Sequence, residues 1–261
     1  MERLKASLEE GAQVVASFWD DPSPYVDLVH SAGALMRHSV GSVEEARAAV
    51  DAGVDVIVAQ GWEAGGHVRG DIATLALVPR VVDAVAPTPV VAAGGIANGR
   101  GLAAALALGA VGAYVGTRFI VSEESVAHPL YKEKIIKADE SDTFYSTLFD
   151  IGWPDAPLRT LRNSTVAMWE DAGRPSSGQR PGEGEEIAKR GDGGSVIRYS
   201  SGTATSDVTG DIDALPLWAG QGVGLVTRVQ PAAEIVRELA EEAESVLRHC
   251  AGLVGMEDKV S

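Results

Sequence analysis

The stretch ALMRHSVGSVEEARAAVDAGVDVIVAQ, residues 34–60, decides the fold class. Ala34-Leu35-Met36 opens it as an apolar strand, and Ser42-Val43-Glu44-Glu45 follows as a capping box. There the Ser hydroxyl can accept from the N–H three residues on while a Glu carboxylate reaches back to the free amides before it. Gly53 stops the helix, and Val54 to Ala59 returns as a short apolar run of the kind buried on both faces in a parallel sheet. Strand, capped helix and strand in 27 residues make one β-α-β step.

The same order repeats outward from this step. Leu4 and Leu8, four apart among charges, predict a short helix over residues 2–10 that Gly11 ends, and Val14 to Phe18 predicts a strand. Ser23-Pro24 supplies an N-cap and a first-turn proline for a helix closing at Gly33. Downstream, Leu75, Val78, Val82 and Val85 recur at helical spacing, Pro89 to Ala93 reads as a strand, Asn98 caps a helix that Gly109 ends, and Ala113-Tyr114-Val115 is the fifth strand. Five β-α steps in series require a parallel sheet. Doubly wound sheets and closed barrels share this alternation, so the loops must choose. Gln60 to His67, Gly94 to Asn98 and Gly116-Thr117 each follow a strand's C-terminal end, and the last two follow consecutive strands, as in phosphate-binding TIM barrels. No G-x-G-x-x-G follows an early strand. The expectation is α/β, a TIM (β/α)8-type barrel that is incomplete, with about five β-α units present.

Composition narrows the function. In 261 residues, 22 Lys and Arg face 37 Asp and Glu, a formal charge of −15 that repels nucleic acid and anionic bilayers. No apolar run approaches the roughly 18 residues of a spanning helix, and the charged start lacks a signal-peptide core, so neither nucleic acid nor membrane is expected and a cytoplasmic protein is. One cysteine, Cys250, and no zinc-like Cys/His spacing predict no disulfide and no metal.

Three regions are expected: residues 1–121 as the barrel portion, 122–215 as a small, mainly helical appended region, and 216–261 as a segment returning to the barrel. Within the second, residues 172–211 read as loop or partly disordered, being Gly, Pro, Ser and charge without period. The third ends in an amphipathic helix with Ile235, Leu239, Ala243, Val246 and Cys250 on its apolar face.

Chemistry concentrates in Val58-Ala59-Gln60-Gly61-Trp62-Glu63-Ala64-Gly65-Gly66-His67, an apolar strand running into a polar amide, three glycines and a histidine. Glycines there let backbone N–H groups approach a ligand, and a histidine with an ordinary pKa near 6.5 is a candidate base or acid. Gln60 suits either a ligand contact or a strand-end amide, and Glu63 suits loop shaping better than proton transfer. Gly94-Gly95 and Gly116-Thr117 offer bare amides and a hydroxyl for a phosphate without a basic cluster. Arg118 reads as a surface charge, His30, His128 and His249 as structural, and His38 as a minor candidate facing a barrel mouth.

Four segments together resemble the flavin-dependent nitronate monooxygenase family: Gln60 to His67, Val91 to Ile96, Tyr114 to Phe119, and Ala219-Gly220-Gln221-Gly222-Val223-Gly224. The resemblance runs from about residue 2 to 240. It implies a TIM barrel holding FMN non-covalently, with cofactor contacts at Gln60, Gly65, Gly95, Tyr114, Val115, Gly116 and Thr117. It further implies His67 as catalytic base, and a nitronate or nitroalkane plus O2 as the small-molecule partners. The oligomeric state stays open. Against the eight strands of the family's barrel, about three N-terminal β-α units have no counterpart among the five counted. The E-A-G-G-H loop is also similar to that of flavin-dependent enoyl-acyl-carrier-protein reductases, and an inactive truncated remnant is the third alternative.

Overall fold

A computed structural model describes residues 1–254, which divide into two compact units. One comprises residues 1–63, 69–114 and the chain from Ala243; the other comprises residues 64–68 and 115–242. The final residues of the expected C-terminal segment, 255–261, lie outside the described residues.

The first unit alternates helix and strand in chain order: α1 (Glu2–Glu9), β1 (Val14–Phe18), α2 (Ser23–Ser31), β2 (Leu35–Val40), α3 (Val43–Asp51), β3 (Val56–Gln60), α4 (Thr74–Val85), β4 (Val90–Ala93), α5 (Gly99–Ala107) and β5 (Gly112–Tyr114). The strands form one parallel sheet whose spatial order is the chain order. A doubly wound sheet would reverse direction at a switch point; this one never does, so it is five strands of a (β/α)8-type barrel.

Local chemistry sets the element ends. Ser42 Oγ accepts from Glu45 N at 3.1 Å, and the Glu45 carboxylate turns back to Gly41 N at 2.8 Å, one residue earlier than a strict capping box. Asn98 caps α5 through Gly101 N. The start of α2 departs from expectation: Ser23 is its first residue, and Asp21 accepts from both Ser23 N (2.9 Å) and Ser23 Oγ (2.7 Å). The apolar face of α4 also differs, since Leu77, Val78, Val81 and Val85 are buried while Leu75 in the first turn is 69% exposed. Met36, Val40, Ile57, Ala59, Val90 and Ala92 meet these helices in one core. Each Met, Val or Ile side chain among them stabilises the fold by about 1.5–3 kcal/mol when fully buried, and each Ala methyl by less.

The second unit holds α6 (Thr117–Ile120), α7 (Pro129–Lys137), β6 (Thr143–Ser146), β7 (Leu158–Leu161), α8 (Ser164–Asp171), β8 (Glu186–Lys189), β9 (Ser195–Ile197), β10 (Thr209–Gly210) and the N-terminal part of α9 (Ala232–Val254), up to residue 242. Gly66–His67 joins β7 and β6 in one antiparallel sheet, and β8 lies between β9 and β10 in another. Residues 172–211 are thus ordered, contrary to their composition. Arg180 and Arg198 explain it: Arg180 is buried against Asp150 Oδ1 (2.8 Å), Leu148 O (3.0 Å) and Glu183 Oε1 (2.9 Å). Arg198, equally buried, reaches Glu185 Oε2 and Thr165 Oγ1, each at 3.0 Å. Guanidinium groups taken out of water require such partners, and the partners fix the loops that carry them. Cys250 is a second correction. It is exposed, because the buried stripe of α9 ends at Ala243, after Ile235 and Leu239.

Candidate active site

In the first unit, pairing register brings two of the predicted residues, Gln60 and Tyr114, to one sheet edge. Gln60 pairs with Ala93, and Ala93 with Tyr114, so these three occupy one row at the C-terminal ends of adjacent strands. Both predicted glycine turns leave from that row. Gly94 and Gly95 take φ of +101° and +70°, a region that suits glycine, and the nearest atom to a Cβ built on Gly95 is Glu63 Cβ at 3.4 Å. Tyr114 is 54% exposed, with the Arg37 guanidinium 4.3 Å over its ring. Gln60 Oε1 accepts a long hydrogen bond from Arg69 N at 3.4 Å.

Glu63 is a helix cap. Its carboxylate accepts from Thr74 N at 2.9 Å and from Thr74 Oγ1 at 3.0 Å, at the start of α4, where an anion satisfies otherwise orphaned amides. Gly61 permits this arrangement, since a Cβ there would lie 1.9 Å from Thr74 Oγ1. His38 is buried beside α3 rather than open at a barrel mouth, and its Nδ1 lies 2.8 Å from Ser17 Oγ. Burial holds its pKa below the ordinary value.

In the second unit, His67 sits on a strand, where a loop was expected. Gly66 and His67 pair with Arg159 and Leu158, and Val68 N donates to Pro157 O at 2.9 Å. The imidazole is flanked by Trp153 (centroids 4.1 Å apart, 35° between planes) and Trp218 (5.4 Å, 38°). Burial lowers its pKa, so at neutral pH it is a neutral imidazole able to accept a proton. Neither tryptophan was singled out from sequence. The only signal was that two large aromatics stand beside glycine turns in a chain with 5% aromatics.

Trp218 is fastened from several sides. Tyr131 OH donates to its carbonyl, its Nε1 donates to Thr203 Oγ1 at 3.2 Å, and Leu161 N donates to Leu217 O at 2.7 Å. Burial pushes the Tyr131 hydroxyl well above its usual pKa, so it stays a donor. The next residues reach two predicted positions: Gly220 N donates to Thr117 Oγ1 at 3.0 Å, and Gly65 packs against Ala219–Gly220 so closely that a Cβ would lie 2.4 Å from Gly220 N. Gly116 differs, with no heavy atom within 4 Å of a built Cβ. Arg118, expected at the surface, is 6% exposed and donates to Gln230 Oε1 and, at 3.1 Å, to Glu238 Oε2. An acidic partner on α9, more than a hundred residues away, draws it inward.

A parallel sheet whose strands follow chain order, with its polar row and glycine turns at the C-terminal strand ends, defines the TIM-barrel class of α/β fold. The chain belongs to the nitronate monooxygenase family, whose profile matches residues 1–242. It is 37% identical over 252 residues to a putative monooxygenase, Rv1533, of Mycobacterium tuberculosis, covering 96% of this chain and 64% of the relative. Among solved structures, FabK from Thermotoga maritima superposes with TM-score 0.76 at 31% identity, covering 96% of this chain and 74% of that one. A nitroalkane oxidase from Streptomyces ansochromogenes gives 0.72 at 29% identity, covering 95% and 69%. The chain spans 48–64% of the length of four curated relatives it matches. Among the described residues no helix is long and apolar enough to cross a membrane.

Proposed function

We propose that this protein catalyses the FMN-dependent oxidation of alkyl nitronates and nitroalkanes by O2 to carbonyl compounds, in the cytoplasm, with His67 as base. The observation that carries the proposal is the imidazole of His67, neutral through burial and held between Trp153 and Trp218, in a chain of the nitronate monooxygenase family. FMN, when bound, supplies one-electron oxidation of the nitronate, with O2 completing conversion to the carbonyl.

The residues present fit such a group. The left-handed Gly94–Gly95 turn and the open space at Gly116 leave backbone amides approachable, which an anionic phosphate needs in a chain of charge −15. Gln60, Gly95, Tyr114, Val115, Gly116 and Thr117 would contact the cofactor, with Thr117 Oγ1 oriented by Gly220 N. Gly65 would act by letting the Ala219–Gly220 backbone close in. His67 takes the α-carbon proton of a neutral nitroalkane; a nitronate, already deprotonated, needs no such step.

That difference is the test. His67→Asn should lower kcat/KM for a nitroalkane by roughly 10²–10⁴-fold while nitronate oxidation and flavin content persist. Equal loss on both substrates, or a purified protein that neither retains flavin nor consumes O2 with a nitronate, would sink the proposal. The likeness to FabK supports a second reading, a flavin-dependent enoyl-acyl-carrier-protein reductase. NADH oxidation driven by an enoyl thioester, exceeding nitronate oxidation, would favour it.

A further inference from the structure

The second unit carries a cavity of about 410 Å3 between α7, the end of β7 and the 3-10 turn Ile212–Ala214. Leu130, Ala138, Leu161 and Ile212 supply its apolar wall; Leu161 and Ile212 are buried, while Leu130 stands 50% exposed on the first turn of α7. Charged side chains line the rest, three cations and three carboxylates, so in a chain of charge −15 this lining is balanced. Each of those charges already has a partner within the protein. Lys134 pairs with Asp213, Lys137 with Glu133, and Arg162 donates to Glu170 Oε2 at 2.7 Å while lying 4.9 Å over the Phe144 ring. The Asp142 carboxylate accepts from Asp139 N at 2.9 Å. An ionic ligand would enter without a free counter-charge, whereas the methylene stems of the lysines and of Arg162 extend the apolar lining.

Every wall of the cavity is tied to the segment that carries Trp218. Helix α7 turns Leu130 and Lys134 to the cavity and buries Tyr131 and Ile135, and the Tyr131 hydroxyl donates to the Trp218 carbonyl. From β7, Leu161 N donates to Leu217 O at 2.7 Å. The 3-10 turn runs directly into Leu215–Trp218, whose path is held by Asn163 Nδ2 on Leu215 O at 2.7 Å and by Thr165 Oγ1 on Ala214 O at 2.8 Å. Leu215 and Leu217 are fully buried, and a close-packed segment passes a displacement along rather than absorbing it. The Trp218 ring at its end lies 5.4 Å from the His67 imidazole.

We propose that this cavity binds an uncharged, largely apolar small molecule, and that its occupancy moves Trp218 relative to His67. The volume lies in the range of small-molecule sites, and an apolar wall with a closed polar rim is the lining such ligands take. Neither sign of charge predominates, so nothing here steers an acidic or a basic macromolecule to the surface. A ligand seated among α7, β7 and the 3-10 turn presses on all three anchors of the Trp218 segment, which makes it an effector of the His67 surroundings and not a substrate. By linkage, a change at Trp218 must alter the ligand's affinity in return. The binding does not depend on the reaction proposed at His67.

The test uses three probes that share a chain and differ in the charge of the head group. 1-Octanol, octanoate and octylamine are titrated separately into the 15N-labelled protein as purified. 1-Octanol should give saturable shifts at the Leu130, Ala138, Leu161 and Ile212 amides, and the two charged probes should bind roughly tenfold more weakly or worse. Leu130→Glu, at a half-exposed position where the fold tolerates a charge, should weaken 1-octanol by roughly tenfold or more. A charged probe binding as tightly as the alcohol, no saturable shift at those amides, or an affinity that Leu130→Glu leaves intact would each overturn the site. The Trp218 indole N–H signal, identified by its loss in Trp218→Phe, should shift along the same binding curve. At saturation, Tyr131→Phe should cut that shift by roughly half or more, since it removes one of the anchors. An indole signal that stays fixed while the cavity fills, or a shift that Tyr131→Phe leaves unchanged, would overturn the coupling. None of these readouts requires turnover, so a failure of the proposed oxidation stays distinct from a failure of the site.

Discussion

Replacing Gly65 by Ala tests the geometry around His67 with one methyl group. Gly65 needs no special backbone conformation; its constraint is space. The added Cβ would lie 2.4 Å from Gly220 N and 2.5 Å from Ala219 C, where ordinary contact begins at 3.4 Å. Both obstacles are backbone atoms, so the 219–220 segment must retreat by about 1 Å, and overpacking of this kind costs about 1–3 kcal/mol. For a chain of this size that lowers Tm by roughly 2–10 °C. The same retreat lengthens the Gly220 N–Thr117 Oγ1 bond and shifts Trp218, the next residue but one, relative to His67. A displacement of about 1 Å in a catalytic constellation costs on the order of 10²-fold in rate. Differential scanning calorimetry and nitroalkane turnover measure the two losses. Gly116→Ala is the comparison, because its Cβ meets nothing within 4 Å: Tm should hold, while flavin retention falls if its amide faces the phosphate. A Gly65→Ala protein that melts and turns over like the original, or a Gly116→Ala protein destabilised to the same extent, would refute the reasoning.

Arg118→Leu should destabilise the protein by about 2 kcal/mol in urea denaturation, since Gln230 and Glu238 lose a buried donor. The figure is discounted from that of a fully buried pair because the Glu238 side chain is 44% exposed; a loss below 0.5 kcal/mol would return Arg118 to the status of a surface charge. His38 and His67 are both held below their ordinary pKa by burial, so the unfolded chain binds more protons than the native one as pH falls below about 6.5. The stability they contribute is complete above that pH and is lost as pH falls towards their native values, a window above the one in which carboxylates act. Urea midpoints at pH 7.5 and 5.5 should show the drop, and NMR titration should find both imidazoles neutral where an exposed histidine is already charged. A midpoint independent of pH across this range would refute the assignment.

Periodicity and capping chemistry are local, and they made the first unit legible. Ser42 and Asn98 cap the helices expected of them, the five strands pair in chain order, and the glycine turns leave one strand-end row. The second unit was opaque for a physical reason. Its order depends on buried guanidinium groups that find partners across long sequence separations, the carboxylates of Asp150 for Arg180 and Glu238 for Arg118 and the hydroxyl of Thr165 for Arg198, and no local pattern announces such partners. Cys250 misled in the opposite way: it continues the helical spacing of Ile235 and Leu239, but periodicity says which face a residue shares and not where the packing surface stops.

The sequence by itself determined the β-α repeat and the strand-end glycine turns, because backbone conformational preferences act over a few residues. Only the tertiary structure decided that Glu63 is spent capping a helix, that Gly65 is a packing glycine, and that His67 is neutral between Trp153 and Trp218. Those properties come from desolvation and steric contact, and both depend on which distant segments fold against a residue.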